Sequence, residues 1–170
     1  MGLPRILKHQ MLFHNGIAYV GDVPSVTLPK LTRKLEGWRG GGMDGQVKID
    51  LGMGDDLDLE FTSGGPLRQA LREYGGSLTG TMLRFAGSYQ RDDDGSIDAI
   101  EVMVRGRFEE IDMGEAKPGE AGEFKYKVAC AFYELRWNGV EEIHIDVPGM
   151  VCRVGRVDRL VEHRQAIGRF

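Results

Sequence analysis

The sequence predicts a mainly β fold, an antiparallel β-sandwich or half-open barrel with one short internal helix and a second helix at the C-terminus. Three observations carry this. Apolar and polar residues alternate over eight to ten short runs, the period of half-buried strands. Asn15-Gly16 and Asn138-Gly139 each stand between two such runs, and Asn-Gly favours a two-residue hairpin because both residues tolerate positive φ. Glycine supplies 25 of 170 residues, about twice its usual share of roughly 7%, which implies many tight turns. The length fits a single domain, residues 1–170, able to bury a core without disulfides or a structural metal.

Taken in order, Leu12-Phe13 and Ile17 to Val20 flank the first Asn-Gly turn and form an N-terminal hairpin. Val47, Ile49, Leu51 and Met53 alternate with Lys48, Asp50 and Gly52, and Leu57, Leu59 and Phe61 answer them after Gly54-Asp55-Asp56. The expected result is a second, longer hairpin. Gly64-Gly65-Pro66 introduces Leu67, Ala70, Leu71 and Tyr74 at helical spacing, with Gly75-Gly76 as the stop. Strand periodicity returns in Thr81, Leu83, Phe85 and Tyr89, then in Ile100, Val102, Val104 and Phe108, across the turn Asp92-Asp93-Asp94-Gly95. Phe124, Tyr126, Val128, Cys130 and Phe132 share one parity, whereas Tyr133, Leu135 and Trp137 share the other, so a β-bulge is expected near Phe132 or Tyr133. Asn138-Gly139 leads to Ile143, Ile145 and Val147, and a last strand spans about Met150 to Val154. Asp158 is the expected N-cap of a terminal helix carrying Leu160, Val161, Arg164 and Ile167 on one face, the helices covering an edge or an end of the sheets.

A formal charge of -4 supplies no basic field of the kind that holds nucleic acid by counterion release. Cys130 and Cys152 lack both a disulfide framework and a metal-ligand spacing, and are read as reduced packing residues. The first residues lack a signal-peptide apolar run, and nothing approaches the roughly 20 residues needed to span a membrane, so no membrane association is expected and synthesis and assembly are expected in the cytoplasm. No cofactor, metal or catalytic group is assigned. Arg39-Gly40-Gly41-Gly42 lacks the Gly-Lys-Ser/Thr of a phosphate loop, and Asp92-Asp93-Asp94-Gly95 lacks the bidentate glutamate of a calcium loop. No serine sits in a nucleophile elbow, and His144 and His163 read as satisfied surface histidines.

The segment from Trp38 to Phe61 is the most informative. Its run Trp38-Arg39-Gly40-Gly41-Gly42-Met43 offers a large aromatic beside residues whose ordering returns no side-chain contacts. A neighbouring copy of the chain can supply those contacts. The expected arm, residues 38–61, is therefore mobile in a monomer and ordered on docking, with Trp38, Arg39, Gly40, Gly41, Gly42, Met43, Val47, Ile49 and Leu51 as subunit and inter-ring contacts. Trp38 is as well read as a contact residue as a core residue. An open sandwich also leaves sheet edges, and edge-to-edge pairing of copies is head-to-tail and closes into a ring when the rotation divides a full turn.

The chain resembles the major tail tube proteins of contractile-tailed bacteriophages. The likeness is carried by Leu3-Pro4-Arg5, Thr27-Leu28-Pro29-Lys30, Arg39-Gly40-Gly41-Gly42-Met43, Tyr89-Gln90-Arg91, Arg105-Gly106-Arg107, Asp158-Arg159-Leu160 and Glu162-His163-Arg164. Ala116, and Pro148-Gly149 before Met150, depart from the family pattern. The resemblance implies the tail tube fold and hexameric rings stacked into the inner tube of a contractile virion tail. It further implies that the sheath, tape measure, baseplate hub and tail terminator are partners, and that DNA is non-specific transiting cargo. Related R-type pyocin or type VI secretion tubes are one alternative machine, and a small-ligand β-barrel is the alternative of another class. Strand parity nominates Asp50, Glu60 and Glu101 as lumen-facing carboxylates, with Lys48, Arg105 and Arg107 sharing that face or bridging subunits.

Overall fold

The computed structural model describes residues 2–169, and strands dominate it. Asn15 and Gly16 take φ of 49° and 85°, and the turn they form joins β1 (Ile6–His14) to the two-residue β2 (Ile17–Ala18). The short β3 (Ser25–Thr27) follows, then β4 (Arg33–Trp38), β5 (Val47–Met53) and β6 (Leu57–Ser63). After α1 (Arg68–Arg72) the chain runs through β7 (Thr81–Gln90), β8 (Ile97–Asp112) and β9 (Phe124–Trp137). It continues through β10 (Val140–Asp146), β11 (Val151–Val154) and β12 (Val157–Asp158) to α2 (Val161–Ala166). Twelve strands are described where eight to ten were predicted, and three of them hold only two or three residues.

The main sheet runs β12-β11-β10-β9-β8-β7-β1-β2, all pairs antiparallel, and does not close into a barrel. It forks at β9. The C-terminal half of β9 pairs with β10, and its N-terminal half pairs with β6, which carries β3. The fork is built on a bulge: Arg105 lies opposite Phe132 but Gly106 lies opposite Cys130, so Ala131 is the extra residue. The inward parity changes there, from Tyr126 and Val128 to Ala131 and Tyr133. The bulge thus falls one or two residues before the predicted place. A Cβ on Gly106 would lie 2.0 Å from the Ala129 carbonyl oxygen, so only glycine fits against the bulged strand.

The core sits between the two arms of this fork. Leu12, Leu83, Phe85, Val102, Val104 and Phe108 meet Leu57, Leu59 and Phe61 of β6 there. Phe61 stacks on Tyr126 with ring centroids 4.8 Å apart, and Phe108 meets both rings edge-on. Ala70 of α1 is fully buried, so this helix covers one end of the core as expected, whereas Tyr74 lies beyond the helix and is exposed. Helix α2 buries no residue, and its Arg164 bonds Met150 O and the Asp158 carboxylate of β12. Asp158 does not cap it directly, since Leu160 occupies the N-cap, and the Asp158 carboxylate instead accepts the Leu160 N–H at 3.0 Å. Both cysteines are free and half-buried, and burial pushes the Cys130 thiol up to about 12.

The predicted hairpin of residues 47–53 with 57–61 is not formed. Strand β5 pairs with β4, giving a two-stranded ribbon separate from the main sheet, and β6 belongs to the core. The arm is therefore residues 33–53 rather than 38–61. Both strands flanking Gly54-Asp55-Asp56 alternate with period two, so periodicity does not choose between the partners. Burial does: Leu57, Leu59 and Phe61 are at most 2% exposed, while Val47, Ile49 and Leu51 are 44–51% exposed.

Candidate functional site

The ribbon carries Trp38, Val47, Ile49 and Leu51 as exposed large apolar side chains. Register places Trp38 opposite Val47 and Glu36 opposite Ile49, so Trp38, Val47, Ile49 and Leu51 share one face with Glu36. Trp38 is 59% exposed and lies outside the core cluster. The opposite face carries Lys48, Asp50 and the exposed Leu35, and Arg33 grips Asp50 with Nη2 3.0 Å from Oδ1. That hydrogen bond, aided by the Gly52 N–H at 2.9 Å, holds the Asp50 carboxyl below the usual carboxylate range. At the base, Gly54 N–H donates to Thr32 O at 3.0 Å and Asp55 N–H to Thr32 Oγ1 at 2.7 Å, clamping the two strands together.

The tip is a formed turn. Met43 N–H donates to Gly40 O at 3.3 Å, and Gly42 at the third position has φ of 81°, which selects glycine. Arg39 Nε donates to Met43 O at 3.2 Å, and Gly40 N–H approaches Met43 Sδ at 3.2 Å. The predicted contact residues Trp38, Arg39, Gly40, Gly41, Gly42 and Met43 are thus brought together at one end of the ribbon. Val47, Ile49 and Leu51 run from it toward the body. Beyond a register shift in the ladder, Met53 pairs with Arg33, and both line an apolar cleft of about 350 Å³ with Leu31, Ile143, Val147 and Leu160.

The three nominated lumen carboxylates are not brought together. Asp50 lies on the ribbon, whereas Glu60 of β6 and Glu101 of β8 lie on the outer face of the main sheet. Their partners across the ladder, Lys127 and Arg136 of β9, are nine residues apart, roughly 30 Å of extended strand at about 3.3 Å per residue. Glu101 is paired with Arg84 at 3.0 Å, and Glu60 forms no ion pair among the described residues. Lys48 sits on the ribbon, away from the exposed Arg105 and Arg107 on β8, and the Arg105 guanidinium stands 5.8 Å from the centre of the Phe132 ring.

Sequence reasoning missed a buried polar network. His14 is fully buried, bonds the Tyr19 hydroxyl through Nδ1, and places Nε2 2.5 Å from Glu73 Oε2. Asn15 Nδ2 and Thr81 Oγ1 donate to the same carboxylate at 2.7 and 2.9 Å. Burial, then the Glu73 charge, pushes the Tyr19 hydroxyl well above its ordinary range. The network ties the first hairpin to the end of α1 across 59 positions of sequence, and only the NG turn marked it beforehand. His144 departs from expectation too, since its Nδ1 is buried without a hydrogen-bond partner. No described helix is long and apolar enough to cross a membrane.

Comparison with known proteins shows the family of the chain. The family model described as phage tail tube protein FII matches residues 4–168. The chain is similar to the tail tube protein of Escherichia phage P2, with 48% identity over 99% of each chain. It is also similar to the major tail tube protein of Serratia phage KSP20, with 38% identity over 90% of this chain and 89% of the other. The chain belongs to the phage tail tube proteins, a non-enzymatic family of structural components of the virion tail.

Proposed function

We propose that copies of this chain join edge to edge into closed rings, six by family resemblance, and that the rings stack through the ribbon into the inner tube of a contractile tail. The observation that carries this reading is the unpartnered apolar face of Trp38, Val47, Ile49 and Leu51 on a ribbon with no core of its own. A ribbon of two strands is marginal alone in water, and another copy is the surface that a tube offers it. The sheet ends support the ring. Strand β2 covers only Phe13 and His14 of β1, which leaves the edge of Ile6 to Met11 open with Ile6, Leu7 and Met11 exposed. The far edge, β12, exposes Val157. Unlike edges of this kind pair head-to-tail and close on themselves.

Within such a tube the sheath protein covers the outside, the tape measure protein fills the bore before DNA does, and the baseplate hub and tail terminator bound the two ends. Six copies at -4 each carry -24, so DNA meets no net attraction and slides. An open sheet also disfavours the ligand-barrel alternative, which needs closure. Electron microscopy of the purified protein at rising concentration tests the proposal. Rings and tubes are the expected result, and a monodisperse monomer at every concentration would refute it.

A further inference from the structure

On the outer face of the main sheet, acidic and basic side chains alternate across the strands. Register sets Glu101 opposite Arg136, Arg136 opposite Glu141, Glu134 opposite His144 and His144 opposite Arg153. Arg136 Nη2 binds Glu134 Oε1 at 3.0 Å, and Arg153 Nη2 binds Glu141 Oε1 at 3.2 Å. The alternation fails at one place, where the carboxylates of Glu134 and Glu141 adjoin beside the His144 ring. One ligand atom from each of these three residues lies within 4.8 Å of the other two. Glu134 is only 5% exposed. His144 Nδ1 lies 3.4 Å from Glu141 Oε1 yet is buried with no hydrogen-bond partner. Phe132 meets the imidazole edge-on at 4.9 Å between centroids, which fixes the ring's direction.

We propose that Glu134, Glu141 and His144 bind one divalent transition-metal cation of the zinc class, a role separate from tube assembly. One imidazole nitrogen and two carboxylates form the mixed N/O donor set that such ions accept, with remaining positions left to water. A carboxylate has about four lone-pair sites, so an arginine fork leaves sites for a metal. Arg136 and Arg153, whose side chains are 46% and 39% exposed, orient the ligands from outside. A cation placed between the carboxylates restores the alternation of charge and gives Nδ1 the partner that it lacks.

The test is calorimetric titration of the full-length protein with zinc chloride, paired with thermal melts. One equivalent per chain and a raised Tm are expected. His144→Ala should weaken binding at least tenfold, and so should the near-isosteric Glu141→Gln, while His163→Ala on α2 should leave it unchanged. X-ray absorption on the zinc-loaded, unmutated chain should show a nitrogen ligand at about 2.0–2.1 Å, a readout that does not depend on either variant folding. The absence of saturable binding, binding that survives His144→Ala in a folded protein, or an all-oxygen shell would overturn the proposal.

Discussion

Replacing Trp38 with alanine separates assembly from folding. Aromatic side chains bury about 150–250 Å², and 59% of Trp38 is exposed, so a partner can cover roughly 150 Å² of it. At about 25 cal/mol per Å² that surface is worth about 3 to 4 kcal/mol. Trp38→Ala should therefore weaken subunit association by about 3 kcal/mol, a factor of roughly 150. Its effect on the fold should stay below about 1 kcal/mol, because the ring touches no member of the core cluster. Leu59→Ala is the contrast: Leu59 is fully buried, and truncating a buried leucine costs about 2 to 5 kcal/mol of folding stability. Sedimentation velocity over a concentration series reads the first quantity, and urea unfolding below the assembly threshold reads the second. Equal losses of folding and assembly in Trp38→Ala would refute the reasoning and return this side chain to a purely internal role.

The remaining predictions concern the body. Gly106→Ala should cost about 3 kcal/mol or more, since its Cβ would press on the Ala129 carbonyl oxygen; denaturant unfolding checks this, and an unchanged midpoint would contradict the bulge geometry. Tyr19→Phe leaves His14 Nδ1 buried without its partner, which should lower stability by about 1 to 3 kcal/mol in the same assay. The bond from Arg164, 2.5 Å long, holds the Asp158 carboxyl down at about 2. A depressed carboxylate stabilises above its unfolded value of about 3.9, and that contribution is lost as pH falls through about 2. Exchange of the Leu160 amide should therefore rise between those two values in the native protein, and Asp158→Asn should abolish the transition.

What the sequence made legible follows from where local chemistry decides the structure. Asn15-Gly16 and Asn138-Gly139 were readable because their positive φ is a property of two adjacent residues. The parity change along β9 likewise announced a bulge, and only its exact residue, Ala131, depended on the partner strand. The partner of β5 was not readable in this way. Sequence proximity favoured Leu57 to Phe61, but those side chains are drawn into the core by Tyr126 and Phe108, and β4 was left as the partner. His14 and Glu73 meet only through tertiary packing, so their pairing had no local signature. The residues expected to make subunit contacts lie together on the ribbon, because a glycine-rich tip and an alternating strand are adjacent in the chain. The lumen carboxylates scattered, because a bore is a property of many copies and strand parity within one copy does not define it.

Hydrogen exchange across the ribbon, residues 33–53, tests most directly the claim that this chain is completed by its own copies. Fast exchange of Val47 to Leu51 is expected in dissociated protein and strong protection in the assembled state, with Leu59 and Val128 protected in both. Equal protection of the ribbon in the two states would contradict it.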